Sequence, residues 1–260
     1  MPPVIRRAQI LERIQRDGGV SIAELARAHG VSPVTVHRDL EQLAREGLVE
    51  RVHGGARVLA GTELQRPPAT AWSQRVSQAG AAKTVIAARA APMVEHGSTI
   101  FLDASSTALA LARRLVERPP NELTLVTNSP AIVYEVVSEP IHVVACPGEL
   151  DQHMRMLTGR WTVEFLEQLN FDMAFISAAG VTLEAGLTTA RRPLAEVLLA
   201  ATANAERTLG LIDATKFGRA SLLSIMPAQQ LDLMVTDGAV DPAVAQEYTA
   251  AGVRLEVVNE

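Results

Sequence analysis

Cysteine and lysine are nearly missing from this chain of 260 residues. It has one cysteine, Cys146, and two lysines, Lys83 and Lys216. A single cysteine excludes an internal disulfide and any zinc site built on cysteines. Cys146 reads as a small buried hydrophobe, with a reactive thiol as the alternative. No uninterrupted apolar run approaches the ~18–20 residues that a membrane span needs. The first ten residues, MPPVIRRAQI, hold no apolar signal core, which points to a cytoplasmic protein. Internal repeats and low-complexity tracts are also missing. Since almost all positive charge sits on arginine, the two lysines stand out. Lys216, beside Asp213 and Thr215, is the more conspicuous.

The length allows two domains, one small and one of ordinary size. Apolar residues make up 48% and charged residues 20%, the balance of a water-soluble globular chain. A net charge of −5 argues on its own against nucleic acid. Its distribution reverses that argument. Residues 1–58 carry nine arginines against seven acids, and the remainder carries 15 basic against 22 acidic residues. A cationic head on an acidic body is compatible with DNA binding.

The head has the layout of a winged helix-turn-helix. Residues 4–16 have amphipathic helical spacing, with Ile10, Leu11 and Ile14 turned inward. Ser21 and Glu24 form a capping box ahead of a helix whose Leu25 and Ala26 face inward. Gly30 permits a sharp turn. Ser32 then caps a second helix with Pro33 at its first position, and Val36, Leu40 and Leu43 recur as a buried stripe. The opposite face presents Thr35, His37, Arg38 and Gln42, side chains able to reach phosphates and base edges. Helix pairs with a glycine turn are common in proteins that never touch DNA, so the residues after the second helix carry weight. Gly47-Leu48-Val49 stops the helix and opens a strand. Residues 51–58, RVHGGARV, then form a basic hairpin around a Gly-Gly turn.

This segment resembles the N-terminal domain of the DeoR family of bacterial sugar-metabolism regulators. That family shows V-S-x-x-T-I-R-R-D-L in its recognition helix and R-x-H-G-G-A in its wing. The chain has Val31-Ser32, Thr35-Val36-His37-Arg38-Asp39-Leu40 and Arg51-Val52-His53-Gly54-Gly55-Ala56. It departs at His37, where the family usually carries arginine. The expected contacts to double-stranded operator DNA are Ser32, Thr35, His37 and Arg38 on the helix, and Arg51, His53 and Arg57 on the wing.

Residues 59–81 contain a Pro-Pro pair and weak periodicity, and read as a linker passing into a short helical stretch. From residue 82 to the C-terminus, strands and helices alternate. Short apolar runs between helices indicate a mostly parallel sheet covered on both faces. The expected fold class is therefore α/β: a winged helix-turn-helix over 1–58, a linker over 59–81 and a larger α/β domain over 82–260. Helices are expected over residues 83–97, 107–118, 131–139, 161–170, 194–208 and 244–252, with strands between them.

Ligands of open parallel sheets bind at loops following the carboxyl ends of strands. Five such loops carry candidate residues. Asp103-Ala104-Ser105-Ser106-Thr107 opens onto a helix, where hydroxyls and N–H groups suit a phosphate; Ser106 or Thr107 acting as a plain helix cap is the alternative. Thr127-Asn128-Ser129-Pro130 offers an amide and a hydroxyl to a sugar, or another cap. Gly148 allows close backbone approach, and Gly180 ends the stretch Ser177-Ala178-Ala179-Gly180. Lys216 could neutralise a phosphate as a point charge, or could be a solvated surface lysine.

These loops also resemble the DeoR-family effector domain, which is related to ribose-5-phosphate isomerase and coenzyme A transferases. The matches are Asp103-x-Ser105-Ser106-Thr107, Thr127-Asn128-Ser129, Asp172-x-x-Phe175-Ile176, Gly186-Leu187-Thr188 and Asp213-x-Thr215-Lys216. Ser105 replaces a glycine, Pro147-Gly148 replaces a glycine pair, Leu198 stands where a lysine is usual, and Ala179 where an acid is frequent. The resemblance implies a transcriptional repressor of a carbohydrate operon, a homo-oligomer (dimer or tetramer), released from DNA by a phosphorylated sugar or similar metabolite. The expected effector set is Asp103, Ser105, Ser106, Thr107, Asn128 and Ser129, with Gly148, Gly180 and Lys216. No cofactor, metal or catalytic residue is expected. The rival reading is a sugar-phosphate isomerase bearing a DNA-binding head, with Asp103, Glu149, Asp151 and Asp213 as acid and base. Ala178-Ala179, at a strand end where such a site would use a carboxylate, argues against it.

Overall fold

The computed structural model describes residues 6–7, 9–10, 13–14, 19–45, 49–52, 54–57 and 72–259, with the side chains of Arg57, Ser73, Gln74 and Ser77 excepted. The chain divides into two compact units, Met1–Pro68 and Ala69–Glu260.

In the first unit, residues 6–7, 9–10 and 13–14 are helical. They are followed by β1 (Gly19–Ser21), α1 (Ile22–His29), α2 (Pro33–Arg45), β2 (Glu50–Val52) and β3 (Gly55–Arg57). The Ser21 hydroxyl accepts from the Glu24 N–H at 3.2 Å, and the Glu24 carboxylate accepts from the Ser21 N–H at 3.1 Å. This is the reciprocal cap that Ser-x-x-Glu encodes. Gly30 takes φ 61°, the left-handed region that a side chain resists. Ser32 accepts from the Thr35 N–H at 3.2 Å. Ile10, Ile14, Leu25, Val36, Leu40 and Leu43 close the core; Leu11, Gly47 and Leu48 lie outside the described residues.

The strands form an antiparallel sheet in the order β1-β3-β2. Nothing in the sequence signals β1, because three residues with a leading glycine carry no alternation. Its partner explains Gly55. A Cβ there would stand 2.1 Å from the Val20 carbonyl oxygen, so only glycine lets β3 lie against β1.

The second unit starts with α3 (Trp72–Ser77), α4 (Gly80–Ala90) and β4 (Thr99–Leu102). After them come α5 (Ser106–Glu117), β5 (Leu123–Thr127), α6 (Pro130–Glu135) and β6 (Ile141–Ala145). Next are the hairpin β7 (Glu149–Asp151) and β8 (Met156–Thr158), then α7 (Arg160–Leu166) and β9 (Phe171–Ile176). The chain then runs through β10 (Gly180–Thr182), β11 (Gly186–Thr189), α8 (Arg192–Ala203) and β12 (Ala205–Leu211). It ends with β13 (Leu223–Met226), β14 (Leu233–Asp237), α9 (Pro242–Ala250) and β15 (Leu255–Val258).

Seven strands form a parallel sheet in the order β15-β14-β12-β9-β4-β5-β6. Alternate side chains of β4 serve two cores. Ile100 and Leu102 pack with α4 and α5, whereas Phe101 packs with α7 and α8. The α/β expectation is met. The chain runs outward from β4 to β6, then returns to lay β9 on the other flank of β4. The crevice between β4 and β9 is thus the switch point at which such sheets bind ligands.

Four expected helices end short of their sequence pattern: α4 stops at Ala90 and passes into a 3-10 turn over Ala91–Met93, and α7 stops at Leu166. The helix begun at Pro130 ends at Glu135, and Val136 turns extended (φ −84°, ψ 93°) where two β-branched residues adjoin. The helix expected over 194–208 stops at Ala203, because residues from Ala205 onward pair in parallel with β9. The β7–β8 hairpin and the antiparallel sheet β10-β11-β13 are additions with little periodicity of their own.

Candidate functional site

In the first unit, α2 buries Val36, Leu40 and Leu43 and leaves Ser32, His37 and Arg38 exposed, with Thr35 half-buried. The hydroxyls of Ser32 and Thr35 lie 2.9 Å apart at the helix start. Among the described residues, no hydrogen bond or ion pair holds Arg38. Arg51 behaves otherwise: it leans on α2, with one Nη 3.0 Å from Nε2 of His37 and the other donating to the His37 carbonyl at 3.3 Å. His53 and the side chain of Arg57 lie outside the described residues. One residue that the sequence did not single out anchors the helix. Asp39 is buried and takes a two-pronged bond from Arg6, at 2.6 Å from Nε and 3.2 Å from Nη2. A charged residue on the apolar stripe at helical spacing was the available signal.

In the second unit, the carboxyl ends of β4, β9 and β12 open into a cavity of about 180 Å³. Asp103, Ser105, Ser106, Thr107 and Lys216 line it as expected. Asn128, Ser129, Gly148 and Gly180 do not. Asn128 is fully buried, its amide donating to the Leu157 carbonyl at 3.0 Å. Ser129 is the buried cap of α6, accepting from the Ile132 N–H. Gly148 and Gly180 do allow close approach, but of other backbone: a Cβ at Gly148 would meet the Thr158 oxygen at 2.5 Å, and one at Gly180 the Arg219 oxygen at 2.3 Å.

The sequence reading missed a wall of the cavity. Arg75, Gln78, Ala79 and Lys83 come from α3, α4 and the turn between them, and Met154 and Met156 from the β7–β8 hairpin. The scarcity of lysine was the available signal, for both lysines of the chain face this one cavity. Lys83 is buried and donates to the carbonyls of Arg75 and Gln78, closing the end of α3. Burial holds its ammonium below the ordinary lysine value; Asp213 opposes this, and Lys216 and Arg75 add to it. Arg75 donates to the Met154 carbonyl at 3.1 Å, and burial lowers its value too, against the pull of Asp103 and Asp151. No hydrogen bond or ion pair engages the Lys216 ammonium among the described residues.

The two carboxylates of the cavity are already committed. Asp103 accepts from the Ser105 N–H at 3.0 Å and from the Ser177 N–H at 2.9 Å, so it ties the β4 and β9 loops together. Burial raises its value, with these hydrogen bonds opposing. Asp213 accepts from the N–H and hydroxyl of Thr215. Ser105, rather than Ser106 or Thr107, caps α5, through the Ala108 N–H at 3.0 Å. Three cations, two occupied carboxylates and a helix N-terminus therefore meet at one opening, an arrangement that favours an anion.

A winged helix-turn-helix and a parallel-sheet unit with a small-molecule cavity together define the class of ligand-responsive transcriptional regulators. The DeoR-like helix-turn-helix domain matches residues 6–62, and the DeoR C terminal sensor domain matches residues 78–238. The chain belongs to the DeoR family of transcriptional regulators. It is 31% identical to the HTH-type transcriptional regulator GlpR of Haloferax volcanii, over 98% of each chain. It is 28% identical to the glycerol-3-phosphate regulon repressor of Escherichia coli, over 97% of this chain and 98% of that one. A ribose 5-phosphate isomerase A from Methanocaldococcus jannaschii aligns in structure at 20% identity and a TM-score of 0.41, over 54% of this chain and 55% of that one. The full-length relatives are regulators, and so is this chain, rather than an isomerase with a DNA-binding head. No helix among the described residues is long and apolar enough to cross a membrane.

Proposed function

We propose that this regulator is a cytoplasmic repressor of a carbohydrate operon, and that a phosphorylated sugar or a closely similar metabolite releases it from operator DNA by occupying the cavity at the β4/β9 crevice. The observation that carries the reading is that Arg75, Lys83 and Lys216 line one cavity with the N-terminal turn of α5, while each nearby carboxylate already holds hydrogen bonds from its own loops. A phosphate there gains from oriented N–H groups and from the helix dipole. Lys216 supplies the countercharge that costs no existing bond. Asp103 keeps acceptor capacity for a hydroxyl of the same ligand. The name of the E. coli relative, a glycerol-3-phosphate regulon repressor, supports a phosphorylated three-carbon ligand as the first to try.

In this reading, Ser32, Thr35, His37 and Arg38 face the major groove, and Arg51, His53 and Arg57 belong to the wing. The DNA-binding part spans residues 1–58 and the effector part 82–260. The stretch 59–81 joins them and lends Arg75, Gln78 and Ala79 to the cavity. One winged head covers a single half-site, so specific binding calls for a dimer or a tetramer of dimers. Release needs only a differential affinity between two arrangements, and couplings of ~1–3 kcal/mol are typical. A gel shift on the DNA upstream of the chain's own gene, with glycerol 3-phosphate and a panel of sugar phosphates, tests the reading. A shift relieved by one phosphate ester supports it. A shift that none relieves refutes the effector assignment. Light scattering showing only monomer at micromolar concentration, with and without DNA, refutes the assembly.

A further inference from the structure

We propose that Arg51 is a specificity-determining residue that acts through His37: the wing strand β2 delivers a guanidinium to α2, and helix and wing together form one base-reading position that selects guanine. The proposal rests on the exposed face of α2 being the DNA-reading face.

A guanidinium has donors and no acceptor. Its Nη2 lies 3.0 Å from Nε2 and 3.5 Å from Nδ1 of His37, and Nη1 lies 3.4 Å from Nδ1, so the guanidinium covers the face of the imidazole. The edge of the ring at Nδ1 lies 3.5 Å from the Glu41 carboxylate. The second Nη donates to the main-chain oxygen of His37 at 3.3 Å. Arg51 Nε is buried and has no partner among the described residues, as in a side chain laid flat on the helix. This has two consequences. One face of the His37 ring is covered by the guanidinium, so the imidazole meets DNA together with Arg51 and not by itself. The Arg51 fork is tied to α2 instead of being extended from the hairpin, and its unused donors lie beside the exposed imidazole, on a helix where Arg38 is also exposed.

A contact to phosphate positions the protein without reading sequence, whereas a planar fork held at a recognition helix suits the O6 and N7 acceptors of guanine. His37, through its ring and its main-chain oxygen, acts as the positioning residue for that fork. Arg51 is thus assigned to base readout and not to the phosphate backbone, where its place on the wing would otherwise put it.

The test is selection of the full chain against a random duplex pool, with salt titration on one enriched duplex. Wild type, Arg51→Gln, Arg51→Lys, His37→Ala and the Arg51→Gln/His37→Ala double variant are compared. Wild type is expected to enrich guanine at one step of each half-site. Arg51→Gln and Arg51→Lys each lose that preference about tenfold or more, while the other positions and the salt slope stay as they were. His37→Ala loses the same preference, and the double variant is no worse than either single one. If Arg51→Gln instead weakens binding to every sequence equally and makes the salt slope shallower by about 0.9, Arg51 is a phosphate contact and the proposal falls. Retention of the preference by Arg51→Lys, or additive effects of the two single substitutions, overturns it as well. An unfolded Arg51→Gln would erase all preferences at once; Arg51→Lys, which keeps the stem and charge, then decides. Wild type that enriches no sequence refutes DNA reading by α2 and the proposal with it, whereas enrichment without the guanine step refutes the proposal alone.

Discussion

Removing Lys216 separates a ligand-binding lysine from a structural one, because the two lysines of the cavity differ in what they already hold. The Lys216 ammonium has no protein partner among the described residues, so Lys216→Ala breaks no bond in the unliganded protein. Its effect on folding stability should stay within about 0.5 kcal/mol, as for surface changes away from any network. In the liganded protein it removes one charge-assisted bond to the phosphate, about 1.5–3 kcal/mol. Lys216 is half-buried, so screening by water favours the lower part of that range. At 1.4 kcal/mol per factor of ten, the phosphate ester should bind roughly ten to a hundred times more weakly. Lys83→Met is the contrasting change. It leaves the carbonyls of Arg75 and Gln78 without their donor, costing about 1–3 kcal/mol of fold stability before any ligand is added. Calorimetric titration with the sugar phosphate that relieves DNA binding, beside thermal melts of the three proteins, makes the comparison. The expected phenotype of Lys216→Ala is a repressor that binds operator normally and no longer responds. Equal affinities of wild type and Lys216→Ala would refute the assignment of the phosphate to this cavity. Loss of unliganded DNA binding would make Lys216 structural.

Arg38→Ala should weaken operator binding by ~1–3 kcal/mol and relax preference at one base step, as read by fluorescence anisotropy on wild-type and altered duplexes. Gly55→Ala would drive a Cβ to 2.1 Å from the Val20 carbonyl; it should unpair β1 from β3, cost the first unit about 1–3 kcal/mol and lower its melting point and DNA affinity together. Burial pushes the Cys146 thiol from 9.0 up to about 12. The thiol should therefore resist alkylation in the native protein at pH 8 and react once the protein is denatured. The same shift means that the folded state holds this proton more tightly than the unfolded state does. Its contribution to stability is complete below about pH 9 and is lost as pH rises toward 12. Cys146→Ala should flatten that part of an alkaline stability profile.

The first unit was legible where local chemistry decides structure: Ser21 with Glu24, Gly30, and Ser32 before Pro33 fix two helix starts and a turn without help from distant residues. Its sheet was not legible, since β1 exists only through its pairing with β3, and Gly55 gives no hint in sequence of the carbonyl that faces it. In the second unit, apolar runs announced the seven parallel strands. The candidate loops came from the rule that ligands gather at strand ends, which placed Asp103, Ser105 and Lys216 correctly at one opening. The same rule over-reached at Asn128 and Gly148, because a strand-end loop can equally be consumed by packing: Asn128 is spent on Leu157, and Gly148 on Thr158. Arg75 and Lys83 were out of reach of any strand-end argument. They arrive from a helical segment that lines the cavity, and only tertiary contact brings them there.

The origin of that wall bears on how the sensor can be studied apart from its DNA-binding head. A fragment cut to the bounds of the sensor domain, 78–238, would keep Lys83 but discard Arg75 and, with it, one of the two main-chain acceptors that Lys83 uses and the donor that holds Met154. At its far end the same cut would remove β15, strip β14 of its outer neighbour and break the Arg89–Glu256 pair, leaving a raw sheet edge open to self-association. A fragment meant for ligand screening should therefore begin ahead of Trp72 and run through Val258. A negative screen on the shorter piece would report a missing wall, not a missing ligand.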